Sequence, residues 1–133
     1  MPKLSTWGIR LSLIYLVTGF ALGALLMINK AWPFSTGLWT LVPIHGALLL
    51  FGWTLQLVIA VAYWILPTFG SRDNRGREWA AWTSVVALNL GVLWSLLWLF
   101  WPGFGVVVPA ISWLVATISF AWHIWPRIKG FGR

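Results

Sequence analysis

The amino-acid sequence predicts an all-α fold, an integral membrane bundle of four helices. Hydrophobic residues make up 60% of the 133-residue chain and charged residues only 8%, whereas about a quarter of a typical soluble domain is charged. The apolar residues fall into four stretches, approximately residues 9–28, 41–66, 79–101 and 106–125. Roughly 20 apolar residues in a helix cross the hydrocarbon core of a bilayer. We therefore expect residues 1–133 to form a single four-helix transmembrane domain.

The charged residues predict the orientation of this bundle. Eight of the nine cations precede the first helix, lie between the second and third, or follow the fourth. Only Lys30 lies on the opposite side, and both acids, Asp73 and Glu78, lie in the basic loop. The eight cations are Lys3, Arg10, Arg72, Arg75, Arg77, Arg127, Lys129 and Arg133. Because basic loops remain in the cytoplasm, we expect both termini there, in a multi-pass protein of a prokaryotic inner membrane.

Composition and charge also exclude several kinds of function. We interpret the net charge of +7 as a topology signal and a contact with membrane lipid, not as a nucleic-acid surface. The absence of cysteine excludes disulfides, iron–sulfur clusters and covalently attached haem. No acid falls within the four stretches, which disfavours a small cation-coupled transporter. The residues up to Arg10 resemble a charged leader, but a full-length span without a small-residue cleavage site follows, so we expect no cleaved signal peptide.

The first helix carries a motif for close packing between helices. Gly19 and Gly23 are four residues apart, and small residues at this spacing let two helix backbones approach each other. Ser12, Tyr15 and Thr18 on the same helix are polar residues of the kind that form hydrogen bonds within a bundle. We expect these residues to serve packing.

The second helix contains the most unusual residue of the chain. His45 is one of only two histidines and lies in the first turns of a stretch without charged residues. An imidazole within a membrane needs a partner and is a functional-site candidate by default. In an aromatic-rich bundle without cysteine, the iron of a haem is the partner that fits a neutral imidazole best. Pro43 near the start of this helix costs it little, and Pro67 ends it.

Four further residues are predicted to share one face of the second helix with His45. At about 100° per residue, Leu49, Gly52, Gln56 and Tyr63 all fall within about 40° of His45. Gly52 lacks a side chain, so a flat macrocycle could lie against the backbone there. Gln56 and Tyr63 would otherwise be buried polar groups that need partners. These five residues, here called the His45 face, form the candidate haem-binding surface.

The third and fourth helices contribute one notable residue each. Asn89 lies near mid-membrane, where an asparagine is expected to form hydrogen bonds across helices. His123 lies near the inner surface beside Trp122 and Trp125, and we interpret it as an interfacial histidine in an aromatic belt. His45 and His123 are separated by roughly 20 Å along the membrane normal, too far to clamp one iron. A bis-histidine site therefore requires two copies of His45, which a two-fold axis along the membrane normal would place at equal depth.

The segment from His45 to Pro67 (HGALLLFGWTLQLVIAVAYWILP) resembles the second helix of subunit I of haem–copper oxidases. The cbb-type oxidases, nitric oxide reductases and small NnrS-like relatives are the most similar. The regions around Asn89 and from Phe120 to Arg127 are similar to their third and fourth helices. The resemblance implies that His45 is an axial ligand of a low-spin haem b. The copper and high-spin haem ligands of that family lie on later helices and cannot be carried over, and asparagine is more usual where His123 stands.

Two function classes follow from these observations. We expect a haem b protein that resembles a truncated oxidase subunit I, without copper, in which two chains of a homodimer share one haem through His45. Its function would be one-electron transfer or binding of haem or gas, with a redox partner or quinone, and not oxidase catalysis on its own. Lys30 and Trp39 on the outer side are candidate partners for the haem propionates. The alternative is a non-catalytic accessory or assembly subunit of a respiratory complex, with His45 as a hydrogen-bonding residue.

Overall fold

Four long helices form the part of the chain that the structure, a computed structural model, describes (residues 1–70, 74–97, 100 and 105–128). All four are long and apolar enough to cross a membrane, which confirms the predicted all-helical class and the number of candidate spans. The described residues contain no strand. The helices are α1 (Lys3–Ala31), α2 (Thr36–Ile65), α3 (Glu78–Leu97) and α4 (Val107–Arg127).

Two helices begin several residues earlier than expected, α2 at Thr36 instead of residue 41 and α1 at Lys3 instead of residue 9. Helix α1 begins at Lys3, not at residue 9, because Leu4 and Ser5 are buried within the bundle and tie down a turn that hydropathy does not detect. The last three residues of α4, Trp125–Arg127, form a 3₁₀ turn. Four charged residues used in the sequence interpretation lie outside the described part, namely Arg72, Asp73, Lys129 and Arg133. The expected end of the third stretch at residue 101 also lies outside it.

Helix α2 is not a regular α-helix. A 3₁₀ turn (Thr36–Leu41) leads into an α-helical segment (Val42–Ala47), a π-helical segment (Leu48–Leu55) and a second α-helical segment (Gln56–Ile65). Within the π-helical segment the Thr54 hydroxyl donates to the carbonyl of Leu49, five residues earlier, at 2.9 Å. A π turn holds more residues than an α turn. The rotation of about 100° per residue that was used to define the His45 face therefore does not apply across this segment.

Helices α1 and α2 are antiparallel and pack closely along a seam of glycines. A Cβ atom added to Gly8 would lie 2.7 Å from the Cβ of Ala60, and one added to Gly19 would lie 2.5 Å from Leu49 Cδ2. Gly52 on α2 in turn receives the ring of Tyr15, whose Cγ lies 2.7 Å from such an added atom. The expected close approach at Gly19 is therefore confirmed, and it depends on glycines from both helices.

Helices α3 and α4 form the second antiparallel pair. Trp113 on α4 packs on Gly91 of α3, where an added Cβ would lie 2.6 Å from its Cδ1. The Trp113 ring also stacks on Phe51 of α2, with 3.7 Å between ring centroids, and thereby joins the two pairs. Each helix is antiparallel to the next in the chain. One end of the bundle, here called the basic end, holds the start of α1 and the end of α4. The opposite end holds Lys30 and the start of α2.

Candidate functional site

His45 lies between α2 and the glycine seam of α1. Its Nδ1 is 2.9 Å from the carbonyl oxygen of Gly19, and its ring covers Gly23, where an added Cβ would lie 2.6 Å from Cε1. A carbonyl oxygen only accepts hydrogen bonds, so Nδ1 carries the proton and donates. In the neutral form of the ring, the lone pair is then on Nε2.

The Nε2 atom of His45 has no hydrogen-bond partner among the described residues. It is also not one of the buried polar atoms that lack a partner there. It follows that Nε2 reaches the surface of the bundle, consistent with the half-buried state of His45. Gly23 leaves the space beside Nε2 open, because a Cβ atom added at this glycine would lie only 3.4 Å from Nε2.

Helix α1 covers the next three residues of the His45 face. Leu49 packs on Gly19, and Gly52 packs on the ring of Tyr15. Gln56 is fully buried and donates from Nε2 to the carbonyl of Gly8 at 3.3 Å. Tyr15 thus occupies the space beside Gly52 that we expected a macrocycle to fill. The sequence could not reveal this, because the partner of a helix face is set by packing between helices.

Asn89 joins three helices through hydrogen bonds. Its Nδ2 donates to Gln56 Oε1 at 2.7 Å and to the carbonyl of Val85 at 2.7 Å. Its Oδ1 accepts from the hydroxyl of Tyr15, also at 2.7 Å. The expectation that Asn89 forms hydrogen bonds across helices is confirmed. The network also provides the partners that burial of Gln56 requires.

Tyr63, the last residue of the His45 face, belongs to a different cluster at the basic end. Its side chain is 2% exposed, and its ring stacks on His123 with 5.3 Å between centroids. The guanidinium carbons of Arg127 and Arg75 lie 5.5 Å and 5.6 Å from the Tyr63 ring centroid. Tyr63 therefore does not contribute to a surface shared with His45.

Arg127 is fully buried and caps the C-terminus of α2. Its Nε donates to the carbonyl of Pro67 at 2.9 Å, and one terminal nitrogen donates to the carbonyls of Tyr63 at 3.0 Å and Leu66 at 2.7 Å. Pro67 has no N–H, so it cannot supply the i+4 bond that the Tyr63 carbonyl would normally accept. The negative end of the helix dipole compensates the positive charge. No described carboxylate forms an ion pair with Arg127.

His123 connects this cap to α3. Its Nδ1 donates to the backbone carbonyl of Arg77 at 2.9 Å, and its Nε2 accepts from the other terminal nitrogen of Arg127 at 3.0 Å. His123 is only 1% exposed, so it is a buried connecting residue and not the belt histidine that we expected. Both ring nitrogens are engaged, which leaves neither for a metal.

The candidate propionate partners lie at the opposite end of the bundle from this cluster. Lys30 in the last turn of α1 and Trp39 in the first turn of α2 are both exposed. Asn29, which precedes Lys30 in the sequence, accepts at Oδ1 from the backbone N–H groups of Phe34 and Ser35 at 3.2 Å and 3.0 Å. Asn29 thus holds the connection between α1 and α2 at the end where His45 lies.

Sequence interpretation missed the structural role of Arg127. It was counted only as one of the cations that determine topology. Two signals could have pointed to it: the spacing of four residues from His123, which places both on one helix face, and Pro67, which leaves carbonyls of α2 without donors.

No protein-family model, curated protein or solved structure matches this chain. The described residues contain no cluster of three or more His, Cys, Asp or Glu side chains that could hold a metal ion by themselves. His45 therefore offers a single nitrogen, Nε2, as a ligand at the surface of the bundle.

Proposed function

We propose that this chain is a membrane haem b protein in which His45 Nε2 is an axial ligand of the iron. The observation that carries the proposal is the hydrogen bond from His45 Nδ1 to the Gly19 carbonyl, at 2.9 Å. Histidines that ligate metals commonly donate their other ring N–H to a carbonyl or carboxylate, which fixes the tautomer and orients the ring. His45 has this arrangement within a segment that is apolar enough to span a membrane.

The packing of α1 supports a haem on the surface of the bundle instead of inside it. Tyr15 and Gly19 contact Gly52 and Leu49, so a macrocycle on those residues would require α1 to separate from α2. His45 is then the ligand of a haem that lies on the surface that Nε2 reaches. A haem there would be exposed on one side in a monomer.

A second copy of the chain would enclose such a haem and supply the other axial ligand. Two His45 side chains lie at the same depth when the symmetry axis follows the membrane normal. His123 cannot substitute for the second ligand, because both of its ring nitrogens are bonded within the protein. We therefore propose a homodimer that holds one haem through two His45 side chains, with Lys30 and Trp39 at the same end of the bundle for the propionates.

Bound haem would supply one-electron transfer or gas binding, tuned by its axial ligands and burial. The protein would contribute the oriented imidazole and an apolar surrounding. We do not propose dioxygen reduction, because the oxidase-like resemblance carries over only the helix-two histidine. The positive-inside distribution supports a bundle with its basic end in the cytoplasm. In that orientation His45 would lie toward the outer side of the membrane.

The test is the visible spectrum of the purified protein, oxidised and then reduced with dithionite, with a pyridine haemochrome assay. We expect sharp reduced α and Soret bands and one haem b for each pair of chains. His45→Ala should lose the haem, and added imidazole should restore it, because free imidazole can replace a missing ligand but not a missing packing contact. The matched control is Val58→Ala, an exposed position on the same helix. A His45→Ala protein that keeps its haem would exclude His45 as the ligand.

Gly23→Ala tests the orientation of the ring without removing it. The added Cβ would lie 2.6 Å from His45 Cε1 and 3.3 Å from Nδ1, so the ring must turn and the bond to Gly19 weakens. We expect a lower haem content or an altered reduced spectrum, while Gly46→Ala, with nothing within 4 Å of the added atom, should leave both unchanged. Equal spectra for the two variants would contradict the proposed role of the Nδ1 bond.

A second candidate function is that of an accessory or assembly subunit of a respiratory complex. The observation that favours it is that α1 covers Leu49, Gly52 and Gln56. The same helix provides the Gly19 carbonyl as a hydrogen-bond partner for His45, so the histidine has a structural role without any cofactor. This candidate predicts a colourless protein that takes up no added haem and copurifies with a larger partner. The haem assay therefore distinguishes the two functions.

A further inference from the structure

A cleft at the basic end joins one exposed cation to an apolar helix surface. It has a volume of about 500 Å³ and is lined by Arg77, Ile118, Ala121, Trp122, Trp125 and Pro126. One face of α4 carries four of these residues, Ile118, Ala121, Trp122 and Trp125. They share this face because the last three follow Ile118 by three, four and seven residues. This cleft lies at the other end of the bundle from His45, so it is independent of the haem proposal.

Arg77 is held in place by two contacts. Its guanidinium carbon lies 5.2 Å from the centroid of the Trp122 ring, a cation–π distance. Its backbone carbonyl accepts from His123 Nδ1 at 2.9 Å, which ties the start of α3 to the end of α4. The side chain is exposed and its N–H groups donate to no other described residue. Its donors therefore remain available for an anion.

We propose that this cleft binds one anionic phospholipid, with the phosphate on Arg77 and an acyl chain along Ile118 and Ala121. The occupant must be an anion joined to an alkyl chain, since a single guanidinium stands at the end of walls that are otherwise apolar. A planar guanidinium pairs with phosphate through two parallel hydrogen bonds. Exposed Trp122 and Trp125 are the side chains that proteins place at the headgroup level.

Charge argues against a second copy of this chain as the occupant. Exposed Arg10 and Arg77 and half-buried Arg75 lie at this end, against Glu78 as its one described acid. Two such ends would therefore bring net positive charges together. An anionic lipid instead neutralises the surface, and anionic lipids concentrate in the cytoplasmic leaflet, where the positive-inside rule places the basic end.

Native mass spectrometry with two added lipids tests the proposal. The probes are phosphatidylglycerol and phosphatidylcholine with identical acyl chains, titrated into the detergent-purified protein. We expect one phosphatidylglycerol to be retained per chain and phosphatidylcholine to bind about tenfold more weakly. Both lipids carry the phosphate, but the cationic choline group of phosphatidylcholine is repelled by Arg77 and the neighbouring cations. Equal retention of both lipids would overturn the proposal.

Substitutions separate this cleft from general attraction to a basic surface. Arg77→Gln should reduce phosphatidylglycerol binding about tenfold, whereas Arg10→Gln, an exposed cation on α1, should leave it unchanged. Ala121→Trp fills the apolar part while Arg77 remains, and should also reduce retention. Equal losses for Arg77→Gln and Arg10→Gln, or unchanged retention in Ala121→Trp, would contradict the site. If Arg77→Gln does not fold, Arg77→Lys should show intermediate binding, because a lysine keeps the charge but not the bidentate geometry.

Discussion

Arg127 donates a hydrogen bond of 3.0 Å to Nε2 of His123, one helical turn earlier on α4. Neither side chain is exposed, and the pair links the ends of three helices: α2 through the carbonyls that Arg127 caps, α3 through the Arg77 carbonyl, and α4 itself. A guanidinium only donates hydrogen bonds, so this bond requires that Nε2 of His123 carries no proton. The basic end of the bundle is thus stabilised by a positive charge at the negative end of a helix dipole.

Replacement of Arg127 by lysine should destabilise the protein strongly. A lysine ammonium cannot reach His123 and the carbonyls of Tyr63, Leu66 and Pro67 together, so buried acceptors lose their donors. We expect a loss of about 3 kcal/mol in the free energy of unfolding, measured by titration with SDS in mixed micelles. Arg10→Lys at an exposed position should change it by less than about 0.5 kcal/mol. Equal effects for the two variants would refute the capping role.

Substitutions at His123 should separate hydrogen bonding from packing. In His123→Leu the Arg77 carbonyl and one N–H of Arg127 lose their partner, so we expect a loss of about 2 kcal/mol. His123→Gln retains a donor and an acceptor and should lose less. Thermal unfolding followed by tryptophan fluorescence would rank the variants, and a leucine variant as stable as the glutamine variant would contradict this view.

The glycine seam predicts opposite effects for two Gly→Ala changes. At Gly8 the added Cβ would lie 2.7 Å from Ala60 Cβ, and forcing the two helices apart should cost about 1–3 kcal/mol. At Gly46 nothing lies within 4 Å, so alanine should stabilise the helix by roughly 0.5–1 kcal/mol. The free energy of unfolding of each variant checks the sign, and a stabilising Gly8→Ala would show that α1 and α2 are not in close contact there.

The Tyr15–Asn89 hydrogen bond of 2.7 Å predicts energetic coupling between α1 and α3. A double-mutant cycle of Tyr15→Phe and Asn89→Ala should give a coupling energy of about 0.6 kcal/mol, the average for hydrogen bonds between membrane helices, and no more than about 1.7 kcal/mol. The cycle of Tyr15→Phe with Thr117→Ala is the control, because Thr117 bonds only within α4. Additive effects in the first cycle would mean that this bond contributes nothing to stability.

The sequence by itself determined the four helices, because the length of an apolar stretch and the rarity of charge are local properties. It also singled out His45 and Asn89, since a polar side chain within an apolar stretch needs a partner wherever the other helices lie. The cross-helix bonds of Asn89 could be predicted in kind, although their partners, Tyr15 and Gln56, could not.

Only the tertiary structure decided which surfaces face each other. The ring of Tyr15 rests on Gly52 and α1 covers Leu49, because glycines on two distant segments permit a close approach that neither segment reveals alone. Arg127 became a buried cap because the chain brings the end of α4 to the carbonyls that Pro67 leaves without donors. Such pairings depend on complementary shape and hydrogen bonding across the whole bundle, and hydropathy along one helix does not contain that information.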